Sequence, residues 1–203
     1  MTGYYGKVST HGDFVGRGLP AQLVQAWDGW LQEGMRASRN KLGAAWLERY
    51  LHAPVWRFAI APGVLGPEGL GGVMMPSVDR VGRYFPLMLG AVGAPPLLDW
   101  FHGQAAWYDA LEDLARESLD PAFALERLDG APQALLAASP PFSVRIPLGE
   151  GVRAVMAAAS LRGHTLWWTE GGPFVEASML LCSGMPQEQA FTAMLDGDWT
   201  TLS

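Results

Sequence analysis

Apolar residues between Leu23 and Met35 return at helical spacing. At about 100° per residue, Leu23, Val24, Trp27, Trp30, Leu31 and Met35 fall on one face, while Gln22, Gln25, Asp28, Gln32, Glu33 and Arg36 fall on the other. Pro20 suits the first position of that helix, where a missing N–H is harmless. A second helix is predicted from about Leu42 to Leu51, carrying Trp46, Leu47 and Tyr50, and Pro54 stops it. The longest amphipathic pattern covers Leu97–Ser118. There Leu97, Trp100, Phe101, Trp107, Tyr108, Leu111 and Leu114 share one arc. Asp99, Asp109, Asp113 and Glu117 share the opposite one, with Glu112 at its margin. Shorter helices are expected at Pro121–Leu128, Pro132–Ala138 and Pro186–Leu195, the last ending at Gly197.

Between the helices lie short apolar runs that read as strands: Val55–Ala61, Gly72–Met75, Tyr84–Val92, Ser143–Ile146 and Ser178–Cys182. Pro86 makes Tyr84–Val92 an edge, a bulge or a strand start. Arg153–Ala159 and Thr165–Thr169 are expected to pair as a hairpin around Leu161–His164. Within it Trp167 and Trp168 alternate, one toward the core and the other a candidate binding anchor if exposed, with burial under the last helix preferred. Gly3–Gly18 holds five glycines and reads as a loop with tight turns or close backbone approach. Pro62–Gly71 reads as an exposed loop. Helical and strand patterns interleave, which predicts an α/β fold of one mixed sheet with helices on both faces.

Composition agrees with a single domain over 1–203. With 203 residues, 49% of them hydrophobic, and nine tryptophans, the chain can bury a sizeable core. Its net charge of −6 argues against general nucleic-acid binding, which needs basic surface to displace counterions. That charge is uneven. Residues 1–90 carry 9 Lys/Arg against 6 Asp/Glu, and residues 91–203 carry 5 against 14. Such asymmetry can orient a protein partner. The single Cys182, in an apolar run, excludes an internal disulfide and a cysteine-based metal cluster. No basic-then-apolar signal opens the sequence, and no apolar run approaches the roughly 18 residues of a membrane span. A cytoplasmic protein with no membrane insertion is expected.

The chemistry concentrates in two stretches. Pro76–Leu89 sets Asp79, Arg80 and Arg83 between apolar runs, where an unpaired charge would be costly. Gly6–Gly18 supplies Lys7, His11, Asp13 and Arg17, and the two stretches are expected to meet as a polar centre. A hydrolase reading makes Ser9 or Thr10 the nucleophile, His11 its base and Asp13 or Asp79 the orienting acid, with Arg80 or Arg83 as an anion clamp. A metal reading uses His11, Asp13 and Asp79. Neither has a characteristic spacing or a nucleophile elbow. The structural account has Asp13 accepting backbone N–H bonds in a turn while Arg80 or Arg83 neutralises Asp79. We adopt it, with no catalytic residue, metal or cofactor assigned. Gly3–Lys7 fails as a phosphate loop, because two residues separate its glycines and Val8 stands where a metal-binding hydroxyl belongs. Gly66–Gly72 likewise misses the dinucleotide fingerprint. The acids Asp99, Asp109, Glu112, Asp113 and Glu117 form a solvated face that can contribute to a partner surface.

Several runs resemble one family. Gly6-Lys7, His11-Gly12-Asp13-Phe14-Val15, Trp27-Asp28-Gly29-Trp30-Leu31, Pro54-Val55-Trp56-Arg57-Phe58 and Pro76-Ser77-Val78-Asp79-Arg80-Val81-Gly82-Arg83-Tyr84-Phe85-Pro86 look like the TagF (ImpM) proteins of bacterial type VI secretion. Leu166-Trp167-Trp168-Thr169 and Gly184-Met185-Pro186 also fit, and the likeness spans nearly the whole chain. One departure is Val8-Ser9, where the family usually has Leu-Pro. The resemblance implies a three-layer α/β/α sandwich. It also implies a cytoplasmic, non-enzymatic repressor of type VI secretion that acts after translation by binding the forkhead-associated (Fha) scaffold protein. The oligomeric state is not legible from sequence.

Overall fold

A computed structural model of the chain describes residues 1–93, 95–134 and 161–201. The glycine-punctuated N-terminus, expected as a loop, forms a hairpin of β1 (Thr2–Gly6) and β2 (Val15–Arg17). Here close approach decides. A Cβ on Gly3 would lie 2.5 Å from the Arg17 carbonyl oxygen, and one on Gly6 would strike that of Pro86, so only glycine admits these neighbours. The apolar stripe that follows is α1 (Ala21–Leu42), which runs further than its pattern predicts and shortens the next helix, α2, to Trp46–Leu51. Strands β3 (Trp56–Ile60), β4 (Gly69–Met75) and β5 (Leu87–Gly93) follow. Pro86 stands just before β5, as a strand start.

The long helix expected at Leu97–Ser118 is two: α3 (Leu97–Gly103) and α4 (Ala105–Glu117), parted at Gln104 with φ −128°. Periodicity survives that break because apolar residues on both sides face the same layer. Among the described residues a short α5 (Glu126–Asp129), β6 (His164–Thr169), β7 (Ser178–Ser183) and α6 (Glu188–Asp196) follow, with Gly197 closing α6 in the left-handed region at φ 73°. The strands expected at Ser143–Ile146 and Arg153–Ala159, and most of the helix expected at Pro132–Ala138, lie outside the described residues. β6 pairs with β3 on one side and β7 on the other.

Among the described residues, seven strands form one sheet in the order β2-β1-β5-β4-β3-β6-β7. It is antiparallel at every pairing, not mixed as the interleaving suggested. The helices do not act as crossovers between parallel neighbours; they lie over the two faces of strands that fold back on one another. On one face α1, α2 and α6 bury Trp27, Leu31, Trp56, Phe58, Trp167 and Phe191. On the other, α3, α4 and α5 bury Tyr4, Val73, Leu89, Trp100, Tyr108 and Leu128. The fold is the expected α/β sandwich. Trp167 and Trp168 do split between the faces. Trp167 is fully buried against Trp27, Trp30 and Phe58, whereas Trp168 packs half-buried on Phe101 and Tyr108, so it is not a free anchor.

Candidate functional site

Between β4 and β5 the chain makes a narrow excursion. Val78 bridges Tyr84, Asp79 N donates to Arg83 O at 3.0 Å, and Gly82 turns the corner at φ 85°. Asp79 is the organiser. Its Oδ1 accepts the backbone N–H groups of Val81 at 3.0 Å and Arg83 at 2.9 Å. Its Oδ2 accepts Arg83 Nε at 2.7 Å and the Lys7 ammonium, which reaches across from the end of β1. Burial alone would raise the Asp79 pKa; the Lys7 ammonium, the Arg83 donors and the Val81 N–H outweigh it and hold the carboxyl well below the usual range. Asp79 and Lys7 are only 3% and 5% exposed.

The two polar stretches therefore meet, along more than one line of contact. Arg80 N donates to His11 O at 3.0 Å, Ser77 Oγ donates to Lys7 O at 2.7 Å, and Arg83 donates a guanidinium N–H to Gly12 O. Beneath them Tyr50, on α2, donates its hydroxyl to Ser77 O at 2.9 Å and accepts from Ser77 N at 3.0 Å. Lys7 also lies 5.0 Å above the Phe14 ring, which stacks on Tyr5. Sequence reasoning missed Tyr50, since one tyrosine in an amphipathic helix carries no signal of a polar duty.

The remaining predicted residues take different places. Arg83, not Arg80, is the arginine on Asp79; the Arg80 side chain is exposed. Asp13 is fully exposed, 3.9 Å from Arg83, and caps no turn. Arg17 belongs to a separate cluster, pairing with Asp129 of α5, which also accepts from the Tyr4 hydroxyl at 3.0 Å. Among the acids, Glu112 faces inward. It pairs with Arg57 of β3 at 2.5 Å and with Arg116 at 2.7 Å, and the outlying Asp109 holds the same Arg57 at 2.7 Å. Glu112 is thus removed from the solvated face, and the exposed acids are Asp99, Asp109, Asp113 and Glu117. The visible signal was Arg57, a lone cation between Trp56 and Phe58.

These contacts limit the chemistry. All four acceptor directions of the Asp79 carboxylate are occupied, leaving none to orient an imidazole or hold a metal. Ser9 Oγ bonds to the carbonyls of Ser118 and Asp120, tying the loop to the end of α4. Thr10 Oγ1 lies 3.0 Å from His11 Nδ1, yet among the described residues no carboxylate reaches that imidazole. Nor, among those residues, do three His, Cys, Asp or Glu side chains gather so as to hold a metal ion. No helix among them is long and apolar enough to cross a membrane.

Comparison with known proteins returns a consistent picture. Residues 3–135 match the family model described as TagF N-terminal domain, type VI secretion system-associated. Among solved structures, the crystal structure of PA0076 from Pseudomonas aeruginosa PAO1 is 39% identical. The two superpose with a TM-score of 0.86 over 98% of this chain and 95% of that one. No curated protein matches.

Proposed function

Since the chain belongs to the TagF family of type VI secretion-associated proteins, we propose that it is a non-catalytic cytoplasmic repressor of type VI secretion, acting after translation by binding the Fha scaffold protein. The observation that carries the non-catalytic reading is the saturation of Asp79. A carboxylate enclosed by Lys7, Arg83 and two backbone N–H groups fixes the loop's shape and takes no part in proton transfer. The hydrolase alternative built on Ser9, His11, Asp13 and Asp79 lacks an orienting acid, because Asp79 is committed and Asp13 points to solvent. For the partner surface we assign the outward acids Asp99, Asp109, Asp113 and Glu117, a patch that complements a basic partner.

Deletion of the gene tests the role. It should raise export of type VI substrates, and a tagged copy should recover the Fha protein from lysate. Unchanged export would refute repression. Recovery without the Fha protein would refute the proposed partner.

A further inference from the structure

α1 and the segment that enters β5 enclose a groove of about 520 Å³, with Met35 and Phe85 in its apolar lining. Its polar groups are sorted along its length. On α1, Glu33 stands at one end and Arg39 and Asn40 at the other, about 9–10 Å apart at 1.5 Å of rise per residue. Arg36 lies between them and already holds Glu188 of α6 at 2.9 Å. Arg39 is different. Among the described residues its guanidinium has neither a carboxylate nor a hydrogen-bond partner, and it lies over the Trp46 ring, 4.2 Å from the centroid. That ring is itself fixed, since Trp46 Nε1 donates to Ser38 Oγ at 3.0 Å and the indole stacks on Tyr50. A guanidinium covered on one face keeps its N–H groups at the edge, in the fork that fits two oxygens of an oxyanion. Tyr84, on the opposite wall, meets the same Trp46 edge-on at 6.1 Å between ring centroids, which sets it at the Arg39 end. Among the described residues the Tyr84 hydroxyl, the Asn40 side-chain amide and the Glu33 carboxylate likewise make no hydrogen bond.

We propose that this groove binds a small phosphorylated organic compound of the size of a nucleoside monophosphate. Its phosphoryl group lies against Arg39, Asn40 and Tyr84. Donors arriving from two walls suit a tetrahedral group with three acceptor oxygens, whereas one arginine fork already satisfies a flat carboxylate. The body of the compound covers Met35 and Phe85, and its hydroxyl or amino groups donate to Glu33 at the far end. An unpaired carboxylate there repels a second anionic group, so the ligand carries its charge at one end only. α1 packs on the sheet face opposite α3 and α4, which keeps this site apart from the acidic surface assigned to the protein partner.

Calorimetric titration of the purified full-length chain tests the site, with adenosine monophosphate, cytidine monophosphate, glycerol phosphate, adenosine and inorganic phosphate as probes. At least one of the two nucleotides should bind at a single site and raise the melting temperature in a saturable way. Adenosine, which lacks the anion, and glycerol phosphate, which is too short to reach Glu33, should each bind about tenfold more weakly or worse. Arg39→Lys keeps the charge but loses the fork and should weaken nucleotide binding by about tenfold. Glu33→Gln should weaken the nucleotide and leave inorganic phosphate unaffected. Both side chains are exposed, so the ligand-free melts of these variants should match the wild type, and Arg80→Ala, outside the groove, should bind as the wild type does. Failure of both nucleotides to bind would overturn the proposal. So would inorganic phosphate binding as tightly as the nucleotides, which is attraction of an ion only, or adenosine doing so. Nucleotide binding that survives Arg39→Lys, or that falls equally in Arg80→Ala, would overturn it as well.

Discussion

At the scale of single residues, Asp79 and Arg80 are adjacent in sequence and opposite in consequence. Asp79→Ala leaves Lys7 as a buried cation without its counter-charge, and should cost about 3–5 kcal/mol in denaturant unfolding. Arg80→Ala removes an exposed side chain and should stay within about 0.5 kcal/mol. The pH dependence has a definite sign. Asp79's folded pKa lies below the unfolded reference of 3.8, so its contribution is present above that value and is lost as pH falls below it. Thermal melts of the wild type should therefore lose stability below pH 3.8 more steeply than those of Asp79→Asn. The sequence announced that Asp79 needed a cation, because it sits between apolar runs. It could not choose among Lys7, Arg80 and Arg83, since that choice depends on where β1 ends relative to the β4–β5 excursion.

Among elements, the contact of β3 with α4 makes a comparable prediction. Arg57 and Glu112 side chains are 12% and 9% exposed, whereas Asp109, on the same arginine, is 61% exposed. Glu112→Ala should thus cost about 3 kcal/mol, with the loss shrinking when Arg57 is replaced by Met in the same chain. Asp109→Ala should cost about 0.5 kcal/mol, as for an exposed pair. Unfolding midpoints of the two single variants would decide it. Helical elements were the most legible, since a stripe such as Leu23, Trp27, Leu31 and Met35 must face a core whatever the topology. β1 and β2 were not legible: Gly3, Gly6 and Gly16 weaken any strand pattern, and the need for close backbone approach appears only once the neighbouring chain is in place. The antiparallel order was hidden for a related reason, because alternating helices and strands do not reveal which strands become neighbours.

Across the whole molecule, the charge asymmetry becomes a surface property. Lys7 and Arg57 neutralise buried acids internally, while Asp99, Asp109, Asp113 and Glu117 stay on the outside of α3 and α4. Reversing Asp113 and Glu117 to lysine should abolish co-purification of the partner without lowering the melting temperature, whereas Arg80→Glu should leave co-purification intact. Retention of the partner by the double reversal would move the contact elsewhere. The order of the strands also has a consequence for how the protein is made. Five contiguous members of the sheet, β2-β1-β5-β4-β3, are all encoded before residue 94, so a ribosome can release them as a pairing unit while the remainder is still being translated. The tryptophan-bearing face of α1, however, is closed by Phe191 and Met194 of α6, which is translated well after β5. Until then the nascent chain carries an uncovered indole surface, the kind of feature that holdase chaperones grip.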